Sequence, residues 1–457
     1  MAPVVALLLL LLCSSSSPTS SSVDTAHAAA AAGVDDELSY YVVVETSSLE
    51  PSPVCQGHRV RPSGASGNLT GGVWMPLSRP YGPCSSEGET TAPPSSVPDA
   101  LLWDRNRASY IQKKVIGDTQ PLAPSQPANT QQMSTDASTN NGLGQSATPS
   151  SLSGLDLAAT GGSGRLPGVT QRMLGPYANG CTGGPNSGQC QYRVQYRDGS
   201  ASSGTYISDV LTLTPTPAGV VNNFRFGCSH ALQRPGVFSN TTAGIMALGR
   251  GVQSLLSQTK GTHGNVFSYC VPPTESHRGF FVLGVPRVAA SRYILTPMLR
   301  SKLSPSLYLV RLQAITVAGQ RLAVPPTVFA AGAVMDSRTV ITRLQPTAYS
   351  ALRAAFRAQM GGYRVAAPKG QLDTCYDFTS VRTVRLPKVA LVFDSQSNGG
   401  AAVELDPSGI LFNSCLAFAS TGGGDGSTGI IGNVQQRTIE VLYNVGGSAV
   451  GFRGGAC

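Results

Sequence analysis

From about residue 190 onward the chain is built of short runs that alternate apolar and polar residues, punctuated by glycine and proline. Cys190-Gln191-Tyr192-Arg193-Val194-Gln195-Tyr196 is one such run. Alternation at period two puts successive side chains on opposite faces of a pleated strand, so it predicts half-buried β-strands. Tyr40-Tyr41-Val42-Val43-Val44-Glu45 predicts a further strand near the N-terminus. Two segments read as helices instead. Residues 347–360 place Leu352, Phe356 and Met360 on one stripe, with Pro346 ahead, Thr347 able to cap, and Gly361-Gly362 at the end. That stripe is core packing rather than a cofactor site. Residues 103–114 also have helical spacing, with Trp103, Arg107 and Tyr110 falling on roughly one face. Residues 116–165 are rich in Ser, Thr, Gln, Asn, Gly and Pro with few apolar positions, too few to offset chain entropy by burial. They are expected to be a disordered linker.

Composition narrows the class. Charged residues are 12% of the 457, about half the roughly 25% usual for soluble domains, while glycine (52) and proline (32) are plentiful. Few charges and many turn formers point to a secreted all-β protein. The net charge of +9 comes from scattered basic residues, not from a stripe interleaved with aromatics, so nucleic acid is not an expected partner. Leu7 to Leu12 form an apolar run too short to cross a bilayer, and Ala26-His27-Ala28 fits a cleavage site. Residues 1–28 are therefore expected to be a signal peptide, with no membrane association after its removal.

Ten cysteines, dispersed without metal-site spacing, suit an oxidising compartment. Cys13 lies in the leader, and the nine that remain leave at least one thiol without an intramolecular partner. Asn68-Leu69-Thr70 and Asn240-Thr241-Thr242 make Asn68 and Asn240 glycosylation candidates. The five histidines include no pair at metal-ligand spacing, and no metal or cofactor is expected. Gly422 to Gly429 is glycine-rich but lacks the Gly-Lys-Ser/Thr ending of a phosphate loop, and reads as a surface loop.

The candidate chemistry lies in Ala333-Val334-Met335-Asp336-Ser337-Arg338-Thr339-Val340-Ile341-Thr342-Arg343-Leu344. An apolar strand runs into an aspartate, a tight turn follows, and a β-branched run resumes. This resembles the second catalytic loop of pepsin-like aspartic proteases, with Arg338 where that family has glycine. Around it, Tyr196-Arg197-Asp198-Gly199-Ser200 resembles the flap hairpin of plant nepenthesin-type members. Phe226-Gly227-Cys228, Ala243-Gly244-Ile245-Met246-Ala247-Leu248-Gly249, Phe267-Ser268-Tyr269-Cys270 and Ile430-Ile431-Gly432-Asn433 follow in family order.

The resemblance covers about residues 166–457. It implies a bilobal all-β acid-protease fold, Asp336 as a catalytic carboxylate with Ser337, Arg338 and Thr339 beside it, Tyr196 as the flap tyrosine, and a disulfide between Cys375 and Cys415. It also implies that Ile430-Ile431-Gly432 crosses behind the aspartate. The layout that follows is a signal peptide (1–28), a propeptide-like segment (29–115) whose basic helix either docks over the cleft or is an ordinary surface helix, a disordered linker (116–165), a truncated first lobe with the flap (166–300), and a complete second lobe (301–457).

One departure governs the functional reading. The family mechanism needs two facing aspartates that share a proton, one activating water and the other protonating the carbonyl oxygen. The first Asp-Thr-Gly is missing, as though deleted between Leu174 and Gly175. Asp198 belongs to the flap, and Asp373 shares a lobe with Asp336, so neither is placed to face it. Arg338 beside Asp336 favours the ionised carboxylate, and it would add strain of about 1–3 kcal/mol if the turn needs a glycine conformation. The expectation is an aspartic endopeptidase relative with impaired catalysis. The alternatives are a non-catalytic binding or inhibitor protein of this fold, and an aberrant or alternatively spliced product of a protease gene. The partner is a polypeptide substrate or protein ligand in the cleft, the chain a monomer, and its destination the extracellular space, the apoplast or a vacuole.

Overall fold

A computed structural model describes residues 40–50, 52–59, 72–78, 83–84, 97–116, 191–195, 201–233, 245–286, 288–395 and 401–457. Tyr196, Asn68, Asn240, Cys181, Cys190, nearly all of the predicted linker and the whole predicted signal peptide lie outside these residues.

The described part is dominated by β-structure, arranged in six sheets. The largest has six antiparallel strands in the order Val73–Leu77, Gly279–Leu283, Val266–Cys270, Glu440–Asn444, Ala449–Arg453 and Ile294–Pro297. It joins segments more than 350 positions apart in the chain. Val73–Leu77 is an edge strand, which accommodates Pro76, a residue without an N–H to give to a second neighbour. Phe267, Tyr269, Phe281 and Tyr443 are fully buried at its centre, and Phe267 stacks on Tyr443 at 4.6 Å between ring centroids. The Cys270–Cys457 disulfide ties the C-terminus to this sheet across 187 positions.

A three-stranded antiparallel sheet is formed by Gln191–Gln195, Ala201–Thr212 and Val220–Gln233. Tyr41–Glu45, the strand predicted near the N-terminus, pairs antiparallel with Thr383–Pro387. Early chain is thus woven into late chain at two separate edges.

The predicted second helix is Pro346–Gln359, with Ala348, Leu352 and Phe356 buried, and Met360 also buried as its C-cap residue. Its cap differs from expectation. Thr347 lies inside the first turn, and Asp425 of the glycine-rich loop accepts from Thr347 N at 3.0 Å and Thr347 Oγ1 at 2.6 Å. The loop supplies a carboxylate to the helix N-terminus, where exposed N–H groups and the helix dipole favour one.

A five-stranded sheet carries the predicted chemistry. Its order is Phe418–Ser420, Thr342–Leu344, Gly429–Ile431, Ala333–Met335 and Leu309–Val310. Ala333–Met335 runs parallel to Gly429–Ile431, so that Asp336 leaves the sheet between two neighbouring strand ends. Asp336 N donates to Ile431 O at 3.1 Å.

Candidate functional site

The Asp336 loop is held from behind by the segment after Gly429–Ile431. Asn433 N donates to Thr339 O at 2.7 Å, Asn433 Nδ2 to Ser337 O at 3.0 Å, and Gly432 N to Thr342 Oγ1 at 2.9 Å. Gly432 passes so close that a Cβ there would lie 2.6 Å from Val340 O and 2.8 Å from Ile341 C, both backbone. Only glycine allows that approach without moving the loop. The crossing implied by Ile430-Ile431-Gly432 is present.

Asp336 is 7% exposed. Its Oδ2 accepts from Thr339 N at 3.0 Å and Thr339 Oγ1 at 2.5 Å. Arg107 completes the site with a two-pronged contact: Nε donates to Oδ2 and Nη2 to Oδ1, each at 2.6 Å. Burial alone would raise the Asp336 carboxyl. The charge and hydrogen bonds of Arg107, the Thr339 hydroxyl and the Arg338 charge outweigh it and hold the group below the ordinary carboxylate range. Among the described residues the side chains that hydrogen-bond Asp336 are Arg107 and Thr339, and neither is a carboxylate.

Arg338 is half-buried and lies next to this contact. It is not among the residues with positive φ, so the strained, glycine-like conformation anticipated for the turn is not adopted. A side chain is accommodated here without positive-φ strain, and its charge is one of the influences that lower the Asp336 carboxyl.

Arg107 comes from the helix Val97–Ile116, the early helix predicted from the sequence, now seen to extend further at both ends. Its docked face is Leu101, Asp104, Ala108 and Ile111, all at most 3% exposed, with Arg107 and Tyr110 half-buried beside them. Leu101 packs with Ile341, Leu372, Cys375 and Cys415, and Ala108 and Ile111 with Leu309, Val334 and Ile430. Burying a leucine or isoleucine contributes about 1.5–3 kcal/mol each. Farther along, Gln112 donates to Thr428 O, and Ser304 Oγ donates to Lys114 O at 2.8 Å. The helix is thus held on the Asp336 loop and the strands beside it.

One turn before Arg107, Asp104 is buried against the same loop. Its Oδ1 accepts from Val340 N at 2.5 Å and Ile341 N at 3.4 Å, and its Oδ2 from Arg343 Nη2 at 2.8 Å and Gln371 Nε2 at 3.1 Å. Burial pushes this carboxyl up, against the pull of the Arg343 charge and the backbone hydrogen bonds.

Cys375 and Cys415 are bonded to each other, as the resemblance implied. With Cys270–Cys457 already placed, Cys55–Cys84 is the third pair among the described residues, and Cys228 is a free thiol. Asp373 is occupied elsewhere, accepting from Tyr349 Oη at 2.6 Å and Arg353 Nη1 at 2.7 Å. Among the described residues no group of His, Cys, Asp and Glu is arranged to hold a metal ion, and no helix is long and apolar enough to cross a membrane. Sequence reasoning did not single out Arg107 and Asp104 as contacts of the loop. The signal was available as an acidic and a basic residue three positions apart on one helix face.

Residues 307–454 match the family described as xylanase inhibitor C-terminal, and residues 169–285 the one described as xylanase inhibitor N-terminal, together more than half of the chain. An aspartyl protease family protein of Arabidopsis thaliana is 40% identical over 286 residues, which are 61% of this chain and 58% of the relative. The aspartic proteinase nepenthesin-2 of Nepenthes gracilis is 32% identical over 285 residues, 58% of this chain and 61% of the relative. The match thus spans less than two thirds of either relative. Among solved structures, basic 7S globulin from soybean aligns with a TM-score of 0.48 at 20% identity, over 58% of this chain and 71% of that one.

Proposed function

Because the chain belongs to the nepenthesin-type family of pepsin-like aspartic proteases and has that family's all-β fold, we propose that it is a catalytically impaired member in which Asp336 anchors a helix instead of activating water. The observation that carries this reading is the two-pronged contact of Arg107 with Asp336.

Hydrolysis by a carboxylate pair requires one proton shared between two acids, one poised as base and the other as acid. That state arises when like charges crowd each other and one carboxyl is forced to stay protonated. Asp336 is in the opposite situation. Arg107, Thr339 and Arg338 all favour its ionised form, and no second carboxylate among the described residues bonds to it. Losing one acid/base group costs about 100- to 10,000-fold in rate, and partners that act as a unit cost more.

The relatives are proteases, so the expected ligand is a polypeptide. In this reading it is bound rather than cut, and residues 97–116 act as a propeptide-like segment that covers the site. Secretion behind a signal peptide, glycosylation at Asn68 and Asn240, Tyr196 as the flap tyrosine, and a monomeric state belong to the same proposal and rest on the sequence patterns given above.

The test is cleavage of an unfolded protein substrate at acid pH by the purified full chain, beside its Arg107→Ala and Asp336→Ala variants. The reading predicts no cleavage that depends on Asp336, even with Arg107 removed. Cleavage sensitive to an aspartic-protease inhibitor and lost in Asp336→Ala would overturn it.

A further inference from the structure

Asp104 sits in a pocket of donors that all come from the second lobe. Val340 N, Ile341 N, Arg343 Nη2 and Gln371 Nε2 converge on its two oxygens. The Arg343 side chain is 6% exposed and that of Asp104 fully buried. Arg343 Nη2 also donates to Gln371 Oε1 at 2.6 Å, which fixes the two donors to each other before any ligand arrives. If the helix were lifted away, a buried guanidinium and two backbone N–H groups would lose their acceptor, an arrangement that strongly favours a replacement anion. The planar Arg343 head and the paired N–H groups suit the two oxygens of a carboxylate.

We propose that Val340, Ile341, Arg343 and Gln371 form a carboxylate-binding socket, distinct from Asp336, whose ligand is an acidic side chain of a polypeptide. Asp104 fills it in the present state, and an acidic residue of a bound peptide fills it when the helix is displaced. This rests on the reading of residues 97–116 as a displaceable cover. The surface then has a polarity: Asp336 takes a guanidinium, and the socket takes a carboxylate one helical turn earlier. The ligand it fits is a helix carrying Asp-x-x-Arg with apolar residues at the positions of Leu101, Ala108 and Ile111.

The probe is acetate, tested on the full chain near neutral pH against chloride at equal ionic strength. Asp104→Ala empties the socket. Acetate is expected to raise its melting temperature by at least about 2 °C over chloride, with no such rise in the wild type, whose socket is full, or in Asp104→Ala/Arg343→Met. An equal response in all three, or none in a folded Asp104→Ala chain, overturns the proposal. A labelled peptide of residues 97–116 should bind Asp104→Ala at least tenfold more tightly than the same peptide with Asp104→Asn, and equal binding overturns it. If Asp104→Ala does not fold, the isosteric Asp104→Asn chain is compared with Asp104→Asn/Arg343→Met. A socket specific for carboxylate predicts that the single change destabilises and that the second change restores part of the loss, whereas an Asp104→Asn chain as stable as the wild type contradicts it. None of these three readouts depends on peptidase activity, so the socket and the loss of catalysis stand or fall separately.

Discussion

Arg107 and Asp336, 229 positions apart in the chain, meet through two parallel N–H to oxygen bonds of 2.6 Å each. The guanidinium covers both oxygens of the carboxylate that the sequence marks as catalytic. Three predictions concern this pair and the loop that bears it, and a fourth concerns the glycine behind the loop.

Arg107→Ala leaves Asp336 with only the Thr339 bonds inside a buried site. Hydrogen bonds to charged groups contribute about 1.5–3 kcal/mol, so the helix Val97–Ile116 should be held that much more weakly. Hydrogen exchange of its amides should accelerate about 10- to 100-fold in the variant, with the strand Val266–Cys270 unaffected. Unchanged helix exchange would show that the apolar contacts of Leu101, Ala108 and Ile111 carry the docking alone.

The pH dependence follows from the direction of two shifts. The Asp336 carboxyl is held below its ordinary value of 3.8, so the stability it contributes is fully present above that value and is lost only as pH falls through the depressed one. The upward push of burial on Asp104 opposes the Arg343 charge and the hydrogen bonds it accepts, so this carboxyl gives the helix no acid-release step above that of Asp336. Helix protection factors should therefore stay level from pH 7 to about 4, measured by exchange corrected for the intrinsic rate. Release of the helix near pH 5 would contradict both signs.

Arg338→Gly restores the residue type of the family motif, but it relieves no backbone strain because Arg338 does not occupy the positive-φ region. A glycine there adds freedom to the unfolded chain, so the variant should lose about 0.4–1 kcal/mol in denaturant unfolding. It should also raise the Asp336 carboxyl slightly by removing one positive charge. A gain in stability would mean that the loop prefers the glycine geometry.

Gly432→Ala places a methyl against Val340 O and Ile341 C, backbone atoms that cannot rotate away. Overpacking of this kind costs about 1–3 kcal/mol. Thermal unfolding should register that loss, and the helix Val97–Ile116 should loosen with it, since Val340 N is one of the donors to Asp104.

Much of residues 301–457 was readable from the sequence because its signals are local. The stripe of Leu352, Phe356 and Met360 marked a helix, and Ile430-Ile431-Gly432 marked the crossing behind Asp336. The Cys375–Cys415 bridge followed from the family resemblance. What escaped were contacts fixed only when distant segments meet. Asp425 capping the helix at Thr347 arises from a loop nearly eighty positions away. The seat of Asp104 and Arg107 depends on a helix returning to a loop formed more than two hundred positions later. The buried face of that helix is Leu101, Asp104, Ala108 and Ile111, with Arg107 and Tyr110 half-buried beside it. The buried polar Asp104 misled the pattern, because periodicity counts apolar residues and the docked face contains a carboxylate satisfied by four donors.

A carbon-detected NMR titration of the Asp336 carboxyl group in the full chain, assigned by Asp336→Asn, decides whether Asp336 titrates alone or as half of an acid pair. One protonation step is expected below pH 3.8, moved upward in Arg107→Ala and coupled to no other carboxyl. Two linked steps, one of them well above the ordinary carboxylate range and shared with a second aspartate, would show a working acid pair and contradict it.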